Sequence, residues 1–232
     1  MTFRDDEGPV DQPTFSRTQA VALQRVLAEQ VERETRLARV RAIAGVDCAA
    51  PRFGTRIRAA IVLLRWPELE LLEQHRAEVA TPLPYIPGLL SFRELPAILE
   101  AWKHLTVTPD LVMVDGQGIA HPRRLGIAAH LGVLLGLPAI GVAKSVLVGQ
   151  PRDRQPGPEP GDRLDLYDRE ERIATLVRTR RGARPLVVST GHRVSLDDAT
   201  AWVERCLRGY RLPEPTRQAH ILASQLERAG AC

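Results

Sequence analysis

TPDLVMVDGQGIAHPRRLGIAAHLGVLLGLPAIGVAKS, residues 108–145, decides the fold. DLVMVD reads as a buried strand that ends in Asp115 and a glycine pair. HPRRLGIAAHLGVLLG reads as a helix over 121–136, with Pro122 in its first turn. Ile127, Leu131, Leu134 and Leu135 line one face of that helix, and Gly136 stops it. LPAIGVAKS returns as a second strand that ends at Lys144. Strand, crossover helix, strand is a βαβ unit, and its two strands are parallel.

The flanking sequence supplies the rest of a sheet. Upstream, RAIAGVDCAA, IRAAIVLLRW and LELLEQHRAEVA are three strand-like runs, and a Trp-Pro-Glu turn joins the last two. They form an antiparallel meander. Before it, residues 16–39 carry Val21, Leu23, Val26, Leu27, Val31 and Leu37 at mostly helical spacing. LPAILEAWKHL is a helix of about three turns between meander and βαβ unit. Residues 149–163, rich in proline and glycine, form a loop inserted within the domain. Two or three strands follow, then helices over SLDDATAWVERCL and PTRQAHILASQLERA, the first capped by a serine or aspartate. The expected fold is α/β: a mixed sheet of three antiparallel strands followed by parallel ones, flanked by helices. Residues 1–13 are expected to be a flexible tail and 14–232 a single domain.

Bulk properties narrow the class. The 232 residues are enough for one domain with a real core. No apolar run reaches the roughly 18 residues of a membrane span, so no membrane partner is expected. The acidic start MTFRDDEGPVDQP lacks the pattern of a secretory signal. Cys48, Cys206 and Cys232 have neither disulfide parity nor metal spacing, which points to a reducing cytoplasm. A net charge of +4 and a pI near 9.3 are compatible with a nucleic-acid partner without requiring one. Nearly all the basic residues are arginine; Lys103 and Lys144 are the two lysines.

If the meander runs up, down, up and the next helix crosses over, the first, fourth and fifth strands are parallel. Their C-terminal ends then share one sheet edge, where open α/β sheets place ligands. Asp47, Asp115 and Lys144 converge there, and Glu94, near the start of the crossover helix, can reach it. Each alone has a structural reading: a turn residue, a helix cap, a solvated lysine. Ser91-Phe-Arg-Glu94 fits a capping box, but Pro96 would then fall past the first turn, so a helix starting nearer Glu94 fits better. Together, three acids without cysteine or paired histidine suit Mg²⁺ or Mn²⁺, not zinc. Such ions support attack by water on a phosphate and stabilise the leaving alkoxide. A lysine nearby can orient that water or offset phosphate charge.

AGVDCA, PYIPGLLSFRE, DLVMVDGQGIAHPRRLGIAAHLGVLLG, PAIGVAKS, LVRTRRG and VSTGHR, in that order, resemble the endonuclease V family over about residues 20–228. The resemblance implies a ribonuclease H-like fold and a Mg²⁺-dependent DNA repair endonuclease acting at deoxyinosine. It implies hydrolysis of the second phosphodiester bond 3′ to the lesion, leaving 3′-hydroxyl and 5′-phosphate ends. It aligns Asp47, Glu94 and Asp115 with metal-binding acids, Lys144 with an active-site lysine and His220 with a histidine near the metal. His121 falls near the substrate phosphates; His192 is a further candidate, whereas His75, His104 and His130 match nothing functional.

Pro84-Tyr85-Ile86-Pro87 resembles the family's wedge. Proline fixes φ and restricts its neighbour, so Tyr85 and Ile86 are presented with little entropy left to lose. A wedge must fill the gap left by an unstacked base, whose exposure costs a few kcal/mol. Gly88, Leu89, Leu90, Gly116, Gln117 and Gly118 then form the base pocket, where backbone N–H groups meet the hypoxanthine carbonyl and reject an adenine amine. Arg123 and Arg124 are candidate phosphate contacts. Two alternatives stay open: an endonuclease for inosine-containing RNA, and a non-catalytic nucleic-acid binder on the same fold.

Overall fold

The computed structural model describes residues 16–49, 55–81, 83–152 and 157–229. The tail expected over 1–13 and Cys232 lie outside them. The strands are β1 (Ala42–Ala49), β2 (Arg56–Arg65), β3 (Glu70–Ala80), β4 (Leu111–Val114), β5 (Ala139–Ala143), β6 (Arg163–Asp168), β7 (Glu171–Val177) and β8 (Leu186–His192). The helices are α1 (Arg17–Glu29), α2 (Leu90–Trp102), α3 (Ile127–Leu135), α4 (Leu196–Arg205) and α5 (Glu214–Ala229). All eight strands share one sheet in the order β3-β2-β1-β4-β5-β8-β7-β6. The β1–β4 and β4–β5 pairs are parallel; the other neighbours are antiparallel. The meander and the βαβ unit are thus present as expected, and the C-terminal ends of β1, β4 and β5 lie side by side.

Strand periodicity of two divides the core. Ile43, Met113, Ile140 and Val142 face Val203 of α4 and Ala219 and Leu222 of α5. Ala44, Val46, Val112 and Val114 face Leu95 and Ile98 of α2 and Ile127 and Leu131 of α3. By the same alternation Asp47 points to the α5 side and Cys48 to the α2 side.

Several elements depart from the sequence-based reading. The first helix ends at Glu29, not near residue 39, and it buries Ala20 and Gln24 while Leu23 and Val26 stay exposed. The next segment runs to β8 instead: Arg36 N–H donates to the Arg193 carbonyl and Arg193 N–H to that of Glu32. Tertiary backbone pairing overrides helix propensity there. The crossover helix starts at Ile127, so Pro122 lies in a preceding turn closed by Arg124 N–H on the His121 carbonyl. Gly126 and Ala128 N–H groups donate to the Gly118 and Gln117 carbonyls, which ties this turn back onto the glycine loop. Leu134 is exposed. α2 begins at Leu90 with Pro96 inside it, not near Glu94. Burial of Leu95, Ala97, Ile98 and Ala101 around the proline offsets the helix N–H that Pro96 cannot supply. α4 has the expected serine cap, Ser195, which accepts from Asp198 N–H.

Candidate active site

The close approach of α5 to β1 sets the first contact. A Cβ on Gly45 would stand 1.9 Å from the Pro215 carbonyl oxygen, so only glycine lets α5 lie this near. Two residues on, Asp47 faces α5, and its Oδ2 lies 2.7 Å from His220 Nδ1. At the ends of β4 and β5, Lys144 Nζ stands 2.6 Å from Asp115 Oδ2, a charge contact not aligned as a hydrogen bond. Lys144 Nζ is also 3.3 Å from His220 Nδ1. One nitrogen cannot both donate to Asp47 and accept from Lys144. The shorter contact assigns an Nδ1–H that donates to Asp47, and Nε2 is left for another partner. Cys48 N–H donates to Asp47 Oδ1 at 2.8 Å. Arg211 donates to the Lys144 carbonyl at 2.8 Å and so fixes the backbone that carries the lysine.

The acids are held against their own repulsion. Burial and the Asp115 charge push the Asp47 carboxyl up to about 6, against the opposing pull of His220 and Lys144. Burial pushes Glu94 up to about 8, with further push from Asp47 and Asp115 and a smaller opposing effect of Arg93. Asp47, Asp115 and His220 each offer a ligand atom, all within 4.8 Å of one another. The sequence-based metal set was Asp47, Glu94 and Asp115; here His220 completes the cluster and Glu94 borders it from α2. A hard divalent cation fits this donor set, because its charge would relieve the crowding that raises Asp47 and the neighbouring Glu94. Cys48 lies beside them with its thiol pushed well up by burial and by Glu94.

Glu94 and Asp115 also line a cavity of about 280 Å³. Of the residues expected at a base pocket, Gly88, Leu90, Gly116 and Gln117 line it, joined by Tyr85 of the expected wedge and by His121, expected near the phosphates. Gly118 does not: its N–H donates to Ser189 Oγ at 2.9 Å and its carbonyl accepts from Gly126. Leu89 is buried in the protein. Pro84, Ile86 and Pro87 stand outside the lining, in a turn that leads to it. Leu89 N–H donates to the Ile86 carbonyl at 3.0 Å, and Gly88 has φ +76°, which with Pro87 ahead of it makes a type II turn. Tyr85 at its head is 40% exposed. Gln117 Nε2 donates to the Ser145 carbonyl at 2.8 Å, which joins the β4 and β5 ends. Val146 and Leu147, exposed at the cavity mouth, went unread in the sequence.

Other candidates are already engaged. His121 Nδ1 accepts from Arg123 N–H, so its Nε2–H donates to the Gly88 carbonyl at 3.1 Å. Burial and the Arg123 charge push this imidazole down to about 4, so it is neutral. Arg124, read as a phosphate contact, pairs at 2.7 Å with both Asp168 and Glu171. Arg123 reaches the Gly88 carbonyl at 2.6 Å. His192 Nδ1 accepts from Glu32 N–H at 3.2 Å, away from the acids. His130 is 3.0 Å from Ser91 Oγ and braces α3 to α2. Gln24, which the sequence reading passed over, is fully buried against Gly88 and Leu125. A larger depression of about 560 Å³ lies on the β6–β7 end of the sheet. Its Arg172 already pairs with Asp165 and Asp197. The smaller cavity, with the unrelieved acids at its wall, is the candidate site.

Known proteins share both sequence and architecture. The family model described as Endonuclease V matches residues 25–221. Endonuclease V from Streptomyces avermitilis is 36% identical, with a TM-score of 0.85 over 94% of this chain and 95% of that one. Human ENDOV is 31% identical, with a TM-score of 0.84 over 94% of this chain and 100% of that one. Ciona intestinalis endonuclease V, solved with a 24mer DNA containing an inosine followed by a ribo-adenosine, is 26% identical, with a TM-score of 0.77 over 91% of this chain and 98% of that one. The match spans the meander, the βαβ unit and every residue of the acid cluster, and the chain belongs to the Endonuclease V family, a family of phosphodiester-cleaving nucleases.

Proposed function

We propose that this protein is a Mg²⁺-dependent DNA repair endonuclease (Mn²⁺ substituting) that recognises deoxyinosine and hydrolyses the second phosphodiester bond 3′ to it. The observation that carries the reading is the shared wall: Glu94 and Asp115 line the same cavity as Tyr85 and Gly88 of the proline-bracketed turn. Lesion sensing and cutting then lie within one substrate footprint.

Each residue has a role in this reading. Tyr85 and Ile86 fill the stack as the base leaves it. The base enters the cavity beside Leu90, and the N–H groups of Gly116 and Gln117, which donate to no other described residue, face the hypoxanthine carbonyl. Asp47, Asp115 and His220 would hold the cation, with Glu94 beside them. A divalent cation there would supply Lewis-acid stabilisation to the phosphate and the departing oxygen. Lys144 offsets phosphate charge and steers the attacking water. Water adds to phosphorus, the P–O3′ bond breaks, and the 3′-oxygen takes a proton; the products are a 3′-hydroxyl and a 5′-phosphate.

The Ciona complex supports a DNA substrate carrying inosine. Its ribo-adenosine after the inosine favours a second reading, in which inosine-containing RNA is also cut. No helix among the described residues is long and apolar enough to cross a membrane. A cytoplasmic location is part of the proposal.

The test is an end-labelled duplex with one deoxyinosine, an undamaged control, and Mg²⁺ or EDTA. A Mg²⁺-dependent nick at the second bond 3′ to the lesion is expected. Asp115→Ala should abolish the nick while binding stays detectable by gel shift. Full-rate cutting by that variant would sink the site assignment.

A further inference from the structure

The carbonyl oxygen of Gly88 collects three side-chain donors. Arg123 Nη2 lies at 2.6 Å, Gln24 Nε2 at 3.0 Å and His121 Nε2 at 3.1 Å. A carbonyl has two lone pairs, so this crowding exceeds ordinary satisfaction. Gln24 uses its whole amide: Nε2 also donates to the Leu125 carbonyl at 2.9 Å, and Oε1 accepts from Arg123 Nε. Arg123 Nε can only donate, which fixes the amide orientation. Burial and the charges of Arg25 and Arg17 disfavour a guanidinium at Arg123, yet it is held there. A Cβ on Gly88 would stand 2.6 Å from Arg123 Nη2. A side chain there would have to push the guanidinium off the carbonyl.

We propose that Gln24 and Arg123 are positioning residues: they lock the Gly88 carbonyl, and so the turn that carries Tyr85 and Ile86, in the conformation that inserts into a duplex. The proposal rests on the wedge reading above. Insertion pushes the tip against stacked bases, and a turn free to recoil would yield before the stack opens. Two proline φ angles stiffen the tip internally, but they do not anchor it to the protein. The Gly88 carbonyl is one anchor of the turn, and its grip comes from α1 and residues 121–123, which are remote in sequence. Neither residue touches the acid cluster, so the chemistry on an already accessible base does not need them.

Two measurements on the full chain test this. Hydrogen exchange of the free protein is compared for wild type, Gln24→Met and Arg123→Gln, each of which removes one donor from the carbonyl. Exchange at residues 85, 86, 88 and 89 should quicken by about ten-fold, with 111–114 in β4 unchanged. Cleavage is then compared for deoxyinosine in a duplex and in a single strand. Each variant should lose about ten-fold in kcat/KM on the duplex and keep the single-strand value, because only the duplex must be opened. Mere loss of folded protein would lower both alike. Unchanged exchange at the turn, or equal losses on both substrates, overturns the proposal. If wild type cuts neither oligonucleotide, the proposed function fails, and the exchange data alone decide whether the clamp exists.

Discussion

Glu94 sits in a helix whose other buried residues are mostly apolar, and the charge it would carry has two acidic neighbours. Its folded pKa, about 8, lies above the ordinary carboxylate value of 4.5, so the folded state binds the extra proton. Stability from this group is therefore full at low pH and falls as pH rises from about 4.5 through 8. Asp47 adds a loss of the same sign between 3.8 and about 6. In EDTA the unfolding free energy should fall between pH 6 and 8, and Glu94→Gln should flatten that fall. At pH 8 the variant should exceed wild type by on the order of 2 kcal/mol in a urea titration. Mg²⁺ should stabilise wild type more at pH 8 than at pH 5, because its ligands must be deprotonated. Parallel pH curves for the two proteins in EDTA would show that Glu94 is ionised throughout and that its crowding is relieved by water.

At the scale of the element, α5 is the part whose position matters most. It packs against β1 through Gly45, and that contact brings His220 to Asp47. Gly45→Ala forces a methyl group onto the Pro215 carbonyl, which cannot move without moving the helix. Overpacking of this kind costs about 1–3 kcal/mol, measurable by chemical denaturation. Activity should fall by more than the loss of folded protein, since His220 is displaced with α5. An alanine variant that keeps wild-type activity per folded molecule would mean that α5 can shift without consequence for Asp47. The 122–126 turn is a related case: it stays out of α3 while Arg124 N–H closes it on the His121 carbonyl and Gly126 N–H ties it to the Gly118 carbonyl.

The molecule as a whole carries +4, and eleven acids of the described residues already pair with arginine. Long-range attraction to a polyanion is therefore modest, and local contacts must do most of the holding. Duplex affinity should weaken between 50 and 200 mM salt, but by less than the roughly thousand-fold seen when six or more phosphates are neutralised. A filter-binding series at several salt concentrations reads this slope directly. A steeper slope would place more of the arginines on the nucleic acid than the pairing suggests.

The sequence by itself determined the meander, the βαβ unit and most of the candidate site's edge. Strand and crossover periodicity fixes which chain segments are parallel, and parallel neighbours must end on the same side. Asp47, Asp115 and Lys144 were therefore placed together from their positions at strand ends alone, whereas Tyr85 was singled out by resemblance to the family's wedge. Only the tertiary structure decided the rest. Helical spacing over 16–39 gave no hint that the chain leaves the helix at Glu29 to pair with β8. Nothing local marks Gln24 or distinguishes Arg123 from Arg124, because their partners lie scores of residues away. His220 was aligned by resemblance, but the contact with Asp47 depends on how closely α5 lies on β1. The physical reason is range. Periodicity, turn chemistry and strand ends are set by neighbours in the chain, whereas a buried polar side chain is satisfied by whichever carbonyl the packed fold brings to it.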